Sequence, residues 1–183
     1  GFELVALKLE DAINYEIKSK NLNAISMVLV DDQKIALAKG FGFEDPERKI
    51  YADANTVYRV GSVSKLFTDM AIMQRVEKGE IDLDLPIQNY LPDFNPLNPY
   101  NTPITLRQMM SHRSGLLREP RKGNYFTDDE ISLKETVESI IPSKLIHEPE
   151  SKTKYSNAAI AVVGYTLEAL YKTPYVKYMQ KHI

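Results

Sequence analysis

The chain has no cysteine among its 183 residues, which excludes disulfides and thiolate metal sites and leaves the compartment open. No apolar run approaches the ~20 residues a helix needs to span a bilayer. Neither sign of charge dominates: a formal net charge of −2 gives no electrostatic ground for expecting nucleic acid or an anionic membrane as partner. Glycine-rich phosphate loops, internal repeats and low-complexity tracts are missing as well. The first residues lack the basic, apolar and small-residue order of a secretory signal, as a mature product would too. There is no H-E-x-x-H, and His112 and His147 have no partner at metal-ligand spacing, so no metal or cofactor is expected. His112, within "SHRSGL", reads as a loop or structural histidine, and Asp128-Asp129-Glu130 as a solvated helix start.

What is present suits one folded domain, or a large part of one: 43% of residues are hydrophobic and 26% charged. Leu9, Ile13 and Ile17 recur every four residues with charges between them, predicting an amphipathic helix over 2–20. A β-rich run at 24–30, the polar turn Asp31-Asp32-Gln33 and a second run at 34–41 predict a hairpin, which Gly40 and Gly42 are expected to end. A short strand is expected over 56–60. Beyond it Leu66, Met70 and Met73 form one helical stripe that stops at Gly79, a C-cap.

The segment "LPDFNPLNPYNTP" (91–103), with four prolines, predicts an ordered, extended connector. Thr105 is placed as N-cap of "LRQMMSHRSG", and helices are expected over 133–141, over 157–171 and from "TPYVKYMQKHI", where Pro174 takes a tolerated early position. One helix and two or three strands followed by helices indicate an α+β fold. Residues 1–60 are expected to form the helix-and-hairpin part and 61–183 the helical part of the same domain. So few strands make a marginal sheet, so partner strands are expected beyond residue 183.

The stretch "VGSVSKLF" (60–67) admits two readings. One is a serine N-cap followed by a surface lysine. The other is a nucleophile with its base, because a serine hydroxyl needs a base within hydrogen-bond reach. With a helix starting near Ser62, Ser62 and Lys65 share a face with Cβ atoms ~5–6 Å apart. The positive helix end disfavours an ammonium beside it, and free N–H groups there suit an oxyanion. The pattern is weak alone, since Ser151-Lys152-Thr153-Lys154 matches it too, in a polar stretch with no apolar helix behind it. Further on, "KYSNA" sets Tyr155 and Asn157 two apart before an apolar run, so both can project toward one point. A phenol serves as a general base when nearby cations depress it, and an asparagine offers a donor and an acceptor.

S-x-x-K followed by Y-x-N resembles the serine β-lactamase and penicillin-binding protein superfamily, with the tyrosine similar to its class C β-lactamase, DD-peptidase and esterase branch. "ALAKGFGFEDPE", "TVYRVGSVSKLFT", "ITLRQMMSHRSGL" and "KYSNAAIAVVGYTLE" look like that branch in its order, across nearly the whole chain. The resemblance implies a β-lactamase/transpeptidase-like fold: an antiparallel sheet with flanking helices and a helical subdomain. It implies Ser62 as acylated nucleophile, Lys65 as participant in its deprotonation, and Tyr155 as proton shuttle. Asn157 would contact the substrate acyl amide and Lys65, and the Ser62 N–H would be half of an oxyanion hole. Ser64 faces elsewhere. The substrate would be a β-lactam, a D-amino-acid peptide, or a small ester or amide. A penicillin-binding sensor or non-catalytic scaffold is the alternative. Family habit places such proteins in the bacterial periplasm or envelope, with the cytoplasm as the alternative.

Two departures stand out. The family's third motif, [K/H]-[T/S]-G, is absent, since Lys172-Thr173-Pro174 puts proline where glycine belongs. A complementing C-terminal segment is therefore the expected partner. The proline–glycine pair often found before the tyrosine is Pro149-Glu150 here, which leaves the local turn open. Arg118 and Tyr125, after "SGL", are candidates for reaching a substrate.

Overall fold

A computed structural model of the chain describes residues 2–124, 126 and 130–183, so the expectations for Tyr125 and for Asp128-Asp129 fall outside the described residues. Two compact units result, Gly1–Arg59 and Val60–Ile183.

In the first unit, α1 (Glu3–Lys20) packs on an antiparallel sheet of β1 (Ala24–Asp31), β2 (Lys34–Asp45) and β3 (Ile50–Tyr51), in the order β1-β2-β3. Leu9, Ile13 and Ile17 are half-buried while Lys8, Asp11 and Asn14 stay exposed, and Glu10 pairs with Lys39 of β2 at 2.9 Å. The hairpin turns at Asp32-Gln33, both at positive φ (44° and 60°), the sign pattern of a turn whose twist matches its strands.

The glycines do not end β2, contrary to expectation; the strand runs through Gly40 and Gly42 to Asp45 and gains β3 as a partner. A Cβ at Gly40 would lie 2.3 Å from the Ala52 carbonyl carbon, and one at Gly42 2.2 Å from the Asn23 carbonyl oxygen. These glycines admit neighbouring backbone rather than stopping the strand. Nor does a strand form over 56–60. Thr56 is used in a turn, its hydroxyl donating to Glu44 at 2.8 Å and accepting the Asp53 N–H at 2.9 Å.

The second unit is helical. A 3-10 turn (Gly61–Val63) runs into α2 (Ser64–Glu77), followed by α3 (Leu106–Met110), α4 (Leu133–Glu138), α5 (Asn157–Tyr171) and α6 (Tyr175–His182). Apolar on nearly every side, α5 is the central element: Val162, Val163 and Leu167 are fully buried, and the helix packs against α2, α3, α4 and α6. Capping boxes start α3 (Thr105 with Gln108) and α4 (Ser132 with Glu135). Gly79, at φ 71°, closes α2 as expected. The proline-rich connector is ordered because Leu91 and Phe94 enter the core and Leu97 exchanges backbone hydrogen bonds with Ser143 and Leu145.

On α2 the expected apolar stripe exists but faces outward: Leu66, Met70 and Met73 are 61%, 52% and 45% exposed. The buried face is Thr68, Ala71, Ile72 and Arg75. Arg75 belongs there because Tyr171 and Tyr178 flank its guanidinium at 4.7 and 5.3 Å, and its Nε donates to the Tyr178 hydroxyl. Glu80, 3.5 Å from the guanidinium, also accepts from Tyr171, tying the end of α2 to α5 and α6. Among the described residues no helix is long and apolar enough to cross a membrane.

Candidate active site

Gly61 enters the 3-10 turn at φ 53°, a left-handed conformation that L side chains resist. It brings Ser62 to the turn just before α2, exposed to solvent, and Lys65 into the first helical turn. The expected three-residue spacing becomes a contact: Lys65 Nζ donates to Ser62 Oγ at 3.0 Å. Tyr155 donates its hydroxyl to the same oxygen at 2.7 Å. Among the described residues no hydrogen bond joins the Ser64 hydroxyl to either group. At the second S-x-x-K, Ser151 Oγ donates to the Glu148 carbonyl at 2.6 Å, closing a turn rather than meeting Lys154.

The Tyr155 segment is held by the start of α5 and by the loop after α3. Ser156, not Asn157, is the N-cap, its Oγ accepting the Ala159 N–H at 2.9 Å and donating to the Leu117 carbonyl at 2.6 Å. The Arg118 carbonyl accepts the backbone N–H groups of Asn157 and Ala158 at 2.7 and 3.2 Å. With capping left to Ser156, the Asn157 side chain is free for other contacts. Its Nδ2 donates to Glu119 Oε1 at 2.7 Å. A carboxylate only accepts, which fixes the amide orientation and leaves Oδ1, buried and without a partner among the described residues, as a lone acceptor. The described contacts do not include the expected bond from Asn157 to Lys65.

Cations surround the Tyr155 ring, with Lys65 Nζ 5.1 Å and the Arg118 guanidinium carbon 5.3 Å from its centroid. Burial alone would raise the phenol. Hydrogen bonds with Lys65 and Ser62 and the charges of Lys65 and Arg118 outweigh it, so the phenol titrates below its ordinary 10.0. His112 packs against the same ring at 4.3 Å between centroids. The turn before Tyr155 closes at Pro149-Glu150: Glu150 takes φ 67° and donates its N–H to the Arg113 carbonyl at 2.9 Å, while the Arg113 guanidinium donates to the Glu150 carbonyl at 2.8 Å and pairs with its carboxylate at 2.9 Å.

A cavity of about 590 Å³ opens beside this cluster, lined by Lys65, Thr68, Glu119 and Asn157 on its polar side and by Ile131, Leu133 and Ile160 on its apolar side. Ser62 lies outside that lining, joined to it through Lys65. No group of three or more His, Asp or Glu side chains suited to a metal ion occurs among the described residues. Sequence reasoning missed Glu119; His112, read as a loop or structural histidine, does sit in the turn after α3, and what went unseen was its contact with the Tyr155 ring. The one available signal was their position in "SHRSGLLRE", where no spacing rule links them to residue 155 or 157.

The sequence profile of the Beta-lactamase family matches residues 9–183. Protein flp of Staphylococcus aureus (strain MW2) is 25% identical over 176 residues, covering 96% of this chain and 35% of the relative. Beta-lactamase-like protein 2 of Dictyostelium discoideum is 31% identical over 183 residues, covering 96% of this chain and 33% of the relative. The octameric penicillin-binding protein homologue from Pyrococcus abyssi matches with a TM-score of 0.84 and 26% identity, over 97% of this chain and 42% of that one. The chain thus spans about a third of the length of these curated relatives. Sequence order and mixed α/β fold agree from the first helix to the last, and on that ground the chain belongs to the Beta-lactamase family.

Proposed function

We propose that Ser62 is the nucleophile of an acyl-transferring serine hydrolase, acting on a β-lactam, a D-amino-acid peptide, or a small ester or amide. The observation that carries this reading is the convergence of Lys65 Nζ and the Tyr155 hydroxyl on Ser62 Oγ, at 3.0 and 2.7 Å. A serine needs one partner to take its proton and another to stabilise the oxygen left behind, and this pair offers both. The description of the Pyrococcus abyssi relative as a penicillin-binding protein homologue supports the same chemistry.

Attack requires one proton fewer on the Lys65–Tyr155 pair than it holds when both groups are protonated. The cations that lower the Tyr155 phenol favour taking that proton from the phenol. Ser62 then passes its proton to Tyr155 as Oγ bonds to the substrate carbonyl, whose oxygen takes the negative charge. The Ser62 N–H supplies one hydrogen bond to that oxygen. Collapse breaks the bond to the leaving group, which receives the proton from Tyr155, and an acyl-Ser62 remains. Water, losing a proton to Tyr155, releases the acid and restores the serine. Asn157, in the lining of the cavity beside Lys65, contacts the acyl amide of the substrate there.

The test is intact-mass analysis of the protein after exposure to a fluorophosphonate or a penicillin. One adduct in the wild type and none in Ser62→Ala is expected. No wild-type adduct, or an equal one in Ser62→Ala, removes the assignment. Lys65→Ala and Tyr155→Phe should each slow labelling by ~10²–10⁴-fold. A one-equivalent burst of penicillin with no further release would identify a covalent binder rather than a turnover enzyme.

A further inference from the structure

We propose that His112 is the positioning residue for Tyr155: a neutral imidazole, protonated on Nε2, that holds residues 154–156 and sets the phenol against Ser62. This rests on the reading of Ser62 as nucleophile and adds a residue to which nothing above assigns a role.

His112 touches each of three successive residues. Its carbonyl accepts the Lys154 N–H at 2.8 Å, its ring packs on Tyr155 with centroids 4.3 Å apart and planes tilted 40°, and its Nδ1 meets the Ser156 N–H at 3.2 Å. The backbone is set for this grip, since His112 follows α3 at φ 59°, left-handed, with its own N–H bonded to the Met109 carbonyl at 3.1 Å. Few non-glycine residues take that conformation, and histidine is among those enriched in it.

The tautomer follows from hydrogen-bond chemistry. A backbone N–H only donates, so Nδ1 must present a lone pair to Ser156 and the proton of the neutral ring resides on Nε2. Burial, then the charge of Lys65, holds the imidazole below its ordinary 6.5 and keeps this form at neutral pH. The titratable and charged groups around it are Lys65 on α2, Lys154 and Tyr155 before α5, and Arg118 over the Tyr155 ring. Arg113, next in the chain, is tied to Glu150. Protonating Nδ1 would set two donors face to face and open the grip on Ser156, so loss of Tyr155 placement should accompany acidification.

The experiment combines labelling kinetics with two spectroscopic readouts. In wild-type protein, ¹⁵N NMR should find His112 Nδ1 unprotonated and Nε2 protonated; the opposite tautomer overturns the proposal. His112→Ala should lower the saturating rate of fluorophosphonate labelling by ~10²-fold, the scale of a misplaced catalytic group, with probe affinity little changed. His112→Asn tolerates the left-handed backbone and keeps an acceptor. It should recover most of that rate and remove the histidine's step from the acid limb of the pH profile, leaving the limb set by the Lys65–Tyr155 pair. Equal losses in both variants, or a histidine step that persists in His112→Asn, would count against the brace. The ¹³Cζ titration of Tyr155 does not depend on reactivity. It should move upward in His112→Ala as contacts with Lys65 and Ser62 loosen, and an unchanged titration overturns the proposal whether or not Ser62 reacts. A wild type that takes no label but has the expected tautomer and Tyr155 response would remove the nucleophile reading and keep the brace.

Discussion

Asp69 stands one turn beyond Lys65 on α2, half-buried, and its Oδ1 is enclosed without a hydrogen-bond partner among the described residues. Burial pushes its carboxyl from the ordinary 3.8 to about 6. The difference is about two units at ~1.4 kcal/mol each, an upper bound of ~3 kcal/mol. Solvent still reaches part of the group, and screening brings the expected effect to ~1–2 kcal/mol. The sign follows from linkage. The folded protein holds this proton more tightly than the unfolded chain, so the carboxyl costs nothing below about pH 4. Its cost grows as pH rises and is complete above about pH 6.

Asp69→Asn keeps the shape and removes the charge. Urea unfolding of both proteins at about pH 4, 5, 6 and 7 should give matching stabilities at the acid end. The variant should gain ~1–2 kcal/mol by about pH 7, or ~2–8 °C in Tm for a chain of this size. A difference that stays flat across the range, or a variant less stable at pH 7, would refute the assignment of burial as the cause.

Gly61→Ala should cost ~1–2 kcal/mol in thermal unfolding, because an L residue is disfavoured at φ 53° while nothing within 4 Å would meet the added Cβ. An unchanged Tm would mean that the turn before Ser62 does not need its left-handed residue. Arg75→Met should cost ~2–3 kcal/mol, through two lost ring contacts and the bond to Tyr178, again read by thermal unfolding. A loss below ~0.5 kcal/mol would show that the cluster does not couple α2 to α5 and α6. Glu150→Gly relieves a left-handed residue at φ 67° and gives up an exposed ion pair, so the opposing terms should leave stability within ~1 kcal/mol. Glu150→Val should lose ~2 kcal/mol at the same position, and equal stabilities of the two variants would contradict this account.

Local rules made much of the molecule legible in advance. Thr105 with Gln108 and Gly79 after α2 obey capping chemistry that spans a few residues, so their neighbours in sequence are their partners in space. Ser62 and Lys65 belong with them: three residues apart at a helix start, they meet by helix geometry alone. Where the deciding partner came from elsewhere in the chain, the pattern misled. Gly40 and Gly42 looked like strand breakers because the backbone of Ala52 and Asn23, which excludes a side chain there, is invisible in the order of residues. Leu66, Met70 and Met73 form the expected helical stripe yet stay exposed, while Arg75 is buried, because the rings of Tyr171 and Tyr178, distant in sequence, make a buried guanidinium tolerable.

By itself the sequence carried the family, through motifs in order along nearly the whole chain, and it carried the helices of the second unit, the caps at Thr105 and Gly79, and a serine and lysine within reach of one another, which follow from spacing along a single element. Only the tertiary structure decided that the Tyr155 hydroxyl rests on Ser62 Oγ, that Asn157 turns its amide to Glu119, and that His112 grips the segment carrying Tyr155. Those contacts join α2, the loop after α3 and the start of α5. Packing around the apolar α5 brings them together, and no periodicity in the chain encodes such a meeting of separate elements.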